Sequence, residues 1–129
     1  MSTKILLIVL SLLFMTIQGK SQEKLTGPHG GRIKIDQGYK IETLGCENYL
    51  EIYLFNEVTE PIFNNGITGK VKFFYEGAKT TSEPIVKYGI DGFISPIKSA
   101  DFFHYEVTLN ILERITVFAD FNECIKPKQ

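Results

Sequence analysis

The chain has 129 residues, of which 43% are hydrophobic and 22% are charged, and its formal net charge is −1. This length allows a single domain of ordinary size. Acidic and basic residues are interleaved along the chain, so no clustered basic face of the kind that binds nucleic acid is predicted.

Residues 1–21 have the composition of a secretory signal peptide. Lys4 precedes a largely apolar segment at 5–15, and the small residues Gly19 and Ser21 favour cleavage after position 21. The apolar segment is shorter than a membrane-spanning helix needs. We therefore predict a periplasmic or secreted protein with no membrane span after cleavage, and an uncleaved anchor is the alternative.

The 108 residues that remain after cleavage are predicted to form one domain with two polar ends. Residues 22–30 contain Gly27 and Pro28, which predicts a flexible lead-in. The sandwich domain is assigned to residues 31–122. Residues 123–129 are assigned to a polar C-terminal tail.

Alternation of apolar and polar residues predicts a series of short strands. They are placed at residues 31–36, 39–43, 49–55, 69–76, 85–88, 93–97, 102–111 and 115–122. Residues 39–55 are predicted to form the central hairpin, with a turn at Gly45 and Cys46, and the last two strands to form a second hairpin. Pro96 disfavours an internal position for the strand at 93–97.

Seven or eight strands without a helical segment predict an all-β fold. Turn residues recur at fairly regular spacing, and the strands supply two inward faces. The predicted architecture is an immunoglobulin-like antiparallel β-sandwich of seven to eight strands, preceded by the signal peptide. A small closed barrel is the alternative, because alternation alone does not distinguish the two.

Two cysteines, Cys46 and Cys124, remain in the mature chain. An exported chain meets an oxidising compartment, where such a pair can form a disulfide. Whether they meet depends on strand order, so two unpaired thiols and a thiolate metal site remain as alternatives.

Metal binding is one candidate function, because His29 lies in the glycine-rich segment Gly-Pro-His-Gly-Gly and imidazole is a common ligand of copper and zinc. A single histidine does not make a site. The residues that could complete it are Glu42, Asp36, His104 and Cys46. The alternative is that His29 is a solvated residue at the start of a strand and that His104 is a surface histidine.

Protein interaction is the competing candidate, because the chain is rich in aromatic residues, with ten Phe and six Tyr. The alternation places Phe74, Phe102 and Phe118 opposite the predicted core, with Tyr49 and Tyr53 as further candidates. Aromatic side chains on an outer sheet face favour a contact surface for another protein.

No arrangement of reactive residues indicates catalysis. Nucleophilic catalysis requires a nucleophile beside an oriented base, and neither histidine belongs to a recognisable catalytic motif. The serines and acidic residues are scattered over turns and outward positions. We therefore predict that the protein is not an enzyme.

Two segments of the chain carry a resemblance to a known family. The run PHGGRIKIDQGYKIE at 28–42 is followed by LEIYLFNEVTEPIFNNGITGKVKFF at 50–74. Over residues 28 to about 121 the chain resembles small exported bacterial domains that open with a His-Gly-Gly strand. Such domains occur alone or attached to periplasmic adaptor subunits of heavy-metal efflux systems.

The family motifs fall on particular residues of this chain. A Tyr-His-Ile-Glu strand, a Tyr-Leu strand end and a Gly-Val-x-Gly turn correspond here to 39–42, 53–54 and 66–69. Lys40 stands where that family often has a second histidine, and a lysine ammonium is a poor metal ligand at neutral pH. The resemblance implies a β-sandwich connected with metal handling and an envelope or efflux-system protein as its partner.

Two functions are therefore expected as alternatives. The first is an exported accessory domain that captures copper or zinc through His29 and Glu42, helped by Asp36 or His104. The second is a cell-envelope interaction or structural module that uses the aromatic face or an exposed edge strand.

Overall fold

A computed structural model describes residues 25–45 and 47–122 of the chain. The predicted signal peptide, the first three residues of the lead-in and the C-terminal tail lie outside this range. Both cysteines of the predicted disulfide, Cys46 and Cys124, also lie outside it.

Nine strands are present in the described residues. They are β1 Arg32–Asp36, β2 Tyr39–Leu44, β3 Tyr49–Phe55, β4 Ile67–Tyr75, β5 Lys79–Pro84, β6 Val86–Tyr88, β7 Gly92–Pro96, β8 His104–Ile111 and β9 Ile115–Phe121. No helix in the described part of the chain is long and apolar enough to cross a membrane.

The strands form two sheets in which all neighbours are antiparallel. Sheet A has the order β1-β2-β3-β7-β6, and sheet B has the order β5-β4-β8-β9. The predicted all-β sandwich is confirmed. The hairpin of β2 and β3 lies at the centre of sheet A, and β8 pairs with β9 as the alternation predicted.

The main core lies between the two sheets. Its members are alternate residues of the strands, as expected where one face of each sheet is buried. They are Ile41, Leu50, Ile52, Leu54, Ile67, Val71, Phe73, Phe93, Tyr105, Val107, Leu109, Ile111, Val117, Ala119 and Phe121. These side chains account for the strict alternation of β8, whose burial changes at every residue.

One polar contact crosses this core. The hydroxyl groups of Thr43 on β2 and Tyr105 on β8 lie 2.6 Å apart, and both side chains are almost completely buried. Burial raises the pKa of Tyr105 to about 12, although the hydrogen bond with Thr43 and the charge of Arg32 act in the opposite direction. The tyrosine is therefore neutral at physiological pH.

The chain passes from one sheet to the other at Ile85. Strand β5 belongs to sheet B and β6 to sheet A, and the Ile85 amide between them donates to the Gly69 carbonyl oxygen at 3.2 Å. The sequence KTTSEP of β5 is polar and was not predicted as a strand, which is why the structure has nine strands rather than seven or eight. The short strand β6 is an edge, as predicted.

Strand β7 occupies an internal position that Pro96 was expected to disfavour. It pairs with β3 over its whole length, whereas β6 pairs only with Gly92, Phe93 and Ile94. Pro96 is the last residue of β7 and lies beyond the end of β6. The missing N–H of the proline therefore interrupts no pairing with β6, and that expectation was wrong.

Candidate functional site

Residues 25–31, which we call the N-terminal clasp, fold back against sheet A. Thr26 forms a bridge with Arg32, and the Leu25 carbonyl oxygen accepts a hydrogen bond from the Ile33 amide at 3.3 Å. Within the clasp, the Gly27 amide donates to the Gly31 carbonyl oxygen at 2.9 Å. These bonds bring the clasp against the face of sheet A that points away from the main core.

Glu42 on β2 holds the clasp in place. Its side chain is completely buried, and Oε2 accepts hydrogen bonds from the backbone amides of His29 at 3.0 Å and Gly31 at 2.8 Å. Oε1 lies 2.8 Å from Nδ1 of the His29 ring. Both carboxylate oxygens thus have partners from the clasp, as a buried charge requires.

The glycines of the clasp allow this close approach. Gly30 has a φ of 85°, a conformation that favours glycine. A Cβ atom added to Gly31 would lie 2.5 Å from the Thr43 carbonyl oxygen, and one added to Gly27 would lie within 2.7 Å of three atoms of the Glu42 carboxyl group. The Pro-His-Gly-Gly motif therefore has a structural explanation in the packing against β2.

The His29 ring lies over an aromatic surface on the outer face of sheet A. It stacks on the Tyr53 ring with centroids 3.7 Å apart and an interplanar angle of 10°, and it makes a tilted contact with Phe55. Tyr53 is opposite Glu42 in the β2–β3 register. Leu44, Tyr53 and Phe55 form a second, smaller buried cluster on this face.

The hydrogen bonding of His29 fixes which ring nitrogen is available. A carboxylate only accepts hydrogen bonds, so Nδ1 donates to Glu42 and the neutral imidazole carries its lone pair on Nε2. No residue in the described part of the chain forms a hydrogen bond with Nε2. The side chain of His29 is 36% exposed, so an external ligand can reach the ring.

Tyr53, on which the His29 ring stacks, has a hydrogen-bond partner of its own. Its hydroxyl donates to Glu51 Oε1 at 3.0 Å. Burial and this hydrogen bond raise the pKa of Tyr53 well above its usual range. The alternation predicted Tyr53 only as a candidate surface aromatic residue, and its stacking with His29 was missed because it depends on how the clasp folds back. The pairing of β2 with β3 could have placed it beside Glu42.

The other predicted ligands have separate partners. Asp36 Oδ2 accepts a hydrogen bond from the Phe118 amide of β9 at 2.8 Å. His104 lies on sheet B, where Nδ1 is 2.6 Å from Asn122 Oδ1. Lys40, at the position of the family's second histidine, donates from Nζ to the Thr59 hydroxyl oxygen at 2.7 Å. Of the predicted ligands that the structure describes, only His29 and Glu42 are thus brought together, and Cys46 lies outside the described residues.

The three predicted surface phenylalanines have different environments. Phe118 is 44% exposed on the outer face of sheet B, and Phe74 is partly buried on the same face beside the His104 ring. Phe102 instead packs against the main core and contacts Phe73 at 4.9 Å between centroids. Strand β8 begins at His104, so Phe102 precedes the strand and does not follow its alternation.

The residues around His29 do not fit a closed copper or zinc site. Such sites have three or four protein ligands, and Glu42 uses both oxygens to hold the clasp. Among residues 25–45 and 47–122, no three His, Cys, Asp or Glu side chains stand ready to hold a metal ion. His29 therefore provides one possible ligand atom, Nε2 of its oriented ring.

Comparison with known proteins found no match to this chain. No family model matches the chain, and neither a curated protein nor a solved structure was found that matches it.

Proposed function

We propose that the protein is an exported, non-enzymatic accessory module with an immunoglobulin-like fold, whose His29 contacts copper or zinc during metal handling or efflux. The observation that carries this proposal is the bond between Glu42 and His29 Nδ1. A histidine that coordinates a metal commonly donates its second ring N–H to a carboxylate, which orients the ring and makes the free nitrogen more basic. Glu42 thus acts as the partner that positions His29.

The immunoglobulin-like part of the proposal rests on strand order. Without β1, sheet A reads β2-β3-β7-β6 and sheet B reads β5-β4-β8-β9. This order corresponds to strands A-B-E-D and C′-C-F-G of an immunoglobulin domain. In this assignment β1 is an additional strand at one edge, and the clasp that precedes it carries His29.

Export and the absence of catalysis rest on the sequence and on the surroundings of His29. The lysine and apolar segment at the start of the chain favour a signal peptide. A histidine held by a carboxylate can activate a nucleophile, but the described side chains that contact the His29 ring are Glu42, Tyr53 and Phe55. Neither Glu42 nor Phe55 has a hydroxyl or thiol group. Tyr53 has a hydroxyl group, but its raised pKa keeps that group protonated and therefore poorly nucleophilic.

His29 supplies only one ligand atom. We therefore expect it to bind a metal ion weakly and briefly, while other molecules supply the remaining ligands of the ion. A membrane-adaptor or envelope protein that shares the ion could supply those ligands. The proposal therefore predicts weak binding of the free ion by this chain alone, and it predicts that the ion shifts the ring signals of His29.

The test is an NMR titration of residues 22–129 with Zn(II) and Cu(I), made in the His104→Ala background so that only the His29 ring reports. We expect saturable shifts of the His29 ring signals. Glu42→Gln should weaken the binding by about tenfold, because the ring loses its orienting carboxylate. His29 ring signals that stay in place in excess metal would show that the capture proposal is wrong.

A second candidate function is a protein-interaction module of the cell envelope. It is favoured by Phe118, which remains exposed on sheet B, and by the short edge strand β6, where Val86 and Tyr88 are exposed. A partner cross-linked in an envelope fraction should be lost with Phe118→Thr and retained with His29→Ala. The opposite pattern would favour the clasp as the contact surface.

A further inference from the structure

The most exposed large apolar side chains in the described part of the chain share one location, the connections at one end of the sandwich. Residues 56–66 join β3 to β4, 89–91 join β6 to β7, and 112–114 join β8 to β9. Single exposed apolar residues are common on protein surfaces, but a group of them marks a contact surface. The group, which we call the apolar loop cluster, consists of Ile90 (70% exposed), Val58 (69%), Phe63 (64%) and Leu112 (61%).

Hydrogen bonds between the connections show that they are neighbours. The Asn64 backbone amide donates to the Ile90 carbonyl oxygen at 2.8 Å, and the Leu112 amide donates to the Gly66 carbonyl oxygen at 2.9 Å. The connection that carries Phe63 therefore lies between the turn of sheet A that carries Ile90 and the turn of sheet B that carries Leu112. Both sheets thus present apolar side chains at the same end of the sandwich.

Buried and local hydrogen bonds order these connections. The side chain of Asn64 is buried, and its Nδ2 donates to the carbonyl oxygens of Gly89 at 3.0 Å and Gly92 at 2.9 Å. Asn56 Oδ1 accepts a hydrogen bond from the Val58 amide at 3.1 Å. The apolar side chains are therefore displayed by turns with a defined structure, and they remain exposed among the residues that the structure describes.

The composition of the apolar loop cluster favours a lipid surface over a protein partner. Its members are one phenylalanine and three aliphatic residues, which are typical of segments that bury side chains at the boundary of lipid headgroups and acyl chains. Protein interfaces are enriched instead in Tyr, Trp and Arg. The four side chains also come from three separate connections, so they form a set of tips rather than a continuous sheet face.

Charges of both signs surround the cluster and nearly cancel. The three connections contain four carboxylates and one cation, and two further cations lie against them, which gives 3 − 4 = −1. Anionic lipids attract clusters of Lys and Arg, whereas this balance offers partners to both the ammonium and the phosphate group of a zwitterionic headgroup. The carboxylates are Glu57, Glu60, Asp91 and Glu113, and the cations are Arg114, Lys87 and Lys40.

We infer that the apolar loop cluster binds the surface of a zwitterionic lipid bilayer, with its four side chains below the headgroups and the rest of the sandwich outside. The driving force is the removal of exposed apolar surface from water. The inference is independent of metal contact at His29, which lies on the outer face of sheet A. Either proposal can therefore fail without the other.

A tryptophan introduced into the cluster tests the inference, because the chain contains no tryptophan of its own. Phe63→Trp is made in residues 22–129, which contain every described residue but not the apolar segment at 5–15, and is titrated with phosphatidylcholine vesicles. We expect its emission to shift to shorter wavelength, saturably with lipid, because the indole leaves water.

Phe103→Trp is the matched control. Phe103 is 57% exposed, but it lies at the opposite end of sheet B, where its amide donates to the Phe74 carbonyl oxygen near the end of β4. Its emission should stay unchanged with the same vesicles. In the Phe63→Trp protein, Ile90→Ser and Leu112→Ser should each weaken vesicle binding by about tenfold, whereas Phe103→Ser should not. All of these positions are exposed, and urea unfolding checks that the variants fold.

Three outcomes would overturn the inference. The first is emission of Phe63→Trp that does not shift with lipid, or that shifts no more than emission of Phe103→Trp. The second is binding that requires phosphatidylglycerol and is lost in high salt, because the protein would then adsorb through charge. The third is a shift that appears without lipid and grows with protein concentration, because the cluster would then contact a second copy of the chain.

Discussion

Glu42 is the side chain whose removal should affect the clasp most. It is fully buried, and its two oxygens accept from three donors, namely the His29 ring and the amides of His29 and Gly31. In Glu42→Gln, the amide NH₂ group faces either the two backbone amides or Nδ1 of His29, which then has to change its tautomer to accept. In both cases the hydrogen bonds to a charged carboxylate are replaced by weaker neutral ones, so we expect the free energy of unfolding to fall by about 1 to 3 kcal/mol in urea titrations.

Glu57→Gln is the matched control for this substitution. Glu57 is exposed, so the same change of carboxylate to amide should alter the free energy of unfolding by less than about 0.5 kcal/mol. Hydrogen exchange gives a local reading as well, because the Gly31 amide should lose protection in Glu42→Gln. An unchanged Gly31 amide would mean that Glu42 does not hold the clasp.

The sequence identified both partners of this contact but not the contact itself. His29 and Glu42 were chosen as candidate ligands, yet they are 13 positions apart and meet only because residues 25–31 fold back on sheet A. The alternation of apolar and polar residues predicts which residues share a face of a sheet. It does not predict which segment covers that face, and so the burial of Glu42, Tyr53 and Phe55 on the outer face could not be predicted.

The strands themselves were largely predictable, and the exceptions have physical reasons. Strands β3, β4, β8 and β9 bury every second side chain for part or all of their length, so the period of two is visible. Strand β5 is an edge strand of polar residues and shows no such period. Its pairing with β4 comes from the turn that joins them rather than from burial of its own side chains.

Asp36 is predicted to protect an edge of the sandwich. Strand β9 is the last strand of sheet B, and its outward Phe118 amide donates to Asp36 Oδ2, while the Thr116 carbonyl oxygen accepts from the Gln37 side chain. An unpaired edge strand is a template for pairing with another chain. Asp36→Ala should therefore increase self-association, measured by sedimentation velocity as a function of protein concentration.

Asp36→Asn provides the control for that prediction, because its amide oxygen can still accept from the Phe118 amide. It should remain as monodisperse as the unmodified protein, and Phe118 should keep its protection from hydrogen exchange. If Asp36→Ala leaves both the sedimentation and the Phe118 exchange rate unchanged, the edge of β9 is protected by something other than this carboxylate.

At the scale of the whole molecule, sheet A has buried side chains on both of its faces. The inner face of sheet A packs against sheet B through the main core, and its outer face carries the smaller cluster beneath the clasp. Strands β2 and β3 therefore contribute buried side chains to both layers, which accounts for the apolar character of β3 on both faces. His29 lies on the outer face, so a ligand can reach its ring without opening of the main core.

The burial of Tyr105 makes the stability of the whole sandwich depend on pH in the alkaline range. The pKa of Tyr105 is about 12 in the folded protein and about 10 in the unfolded chain, so above pH 10 the unfolded state loses this proton first. The free energy of unfolding should therefore fall as pH rises between about 10 and 12, by about 2 to 3 kcal/mol in total for this residue. Below pH 10 Tyr105 should contribute no pH dependence.

Tyr105→Phe separates this contribution from the others. Tyr53 also has a raised pKa, but its effect is common to both proteins and cancels in the difference between them. At pH 8 the variant should be less stable by about 1 to 2 kcal/mol, because the buried Thr43 hydroxyl loses its partner while the stacking on Phe121 remains. In urea titrations from pH 8 to 11.5 the stability difference should then shrink as pH rises. A difference that stays constant over this range would show that Tyr105 does not remain protonated in the folded state.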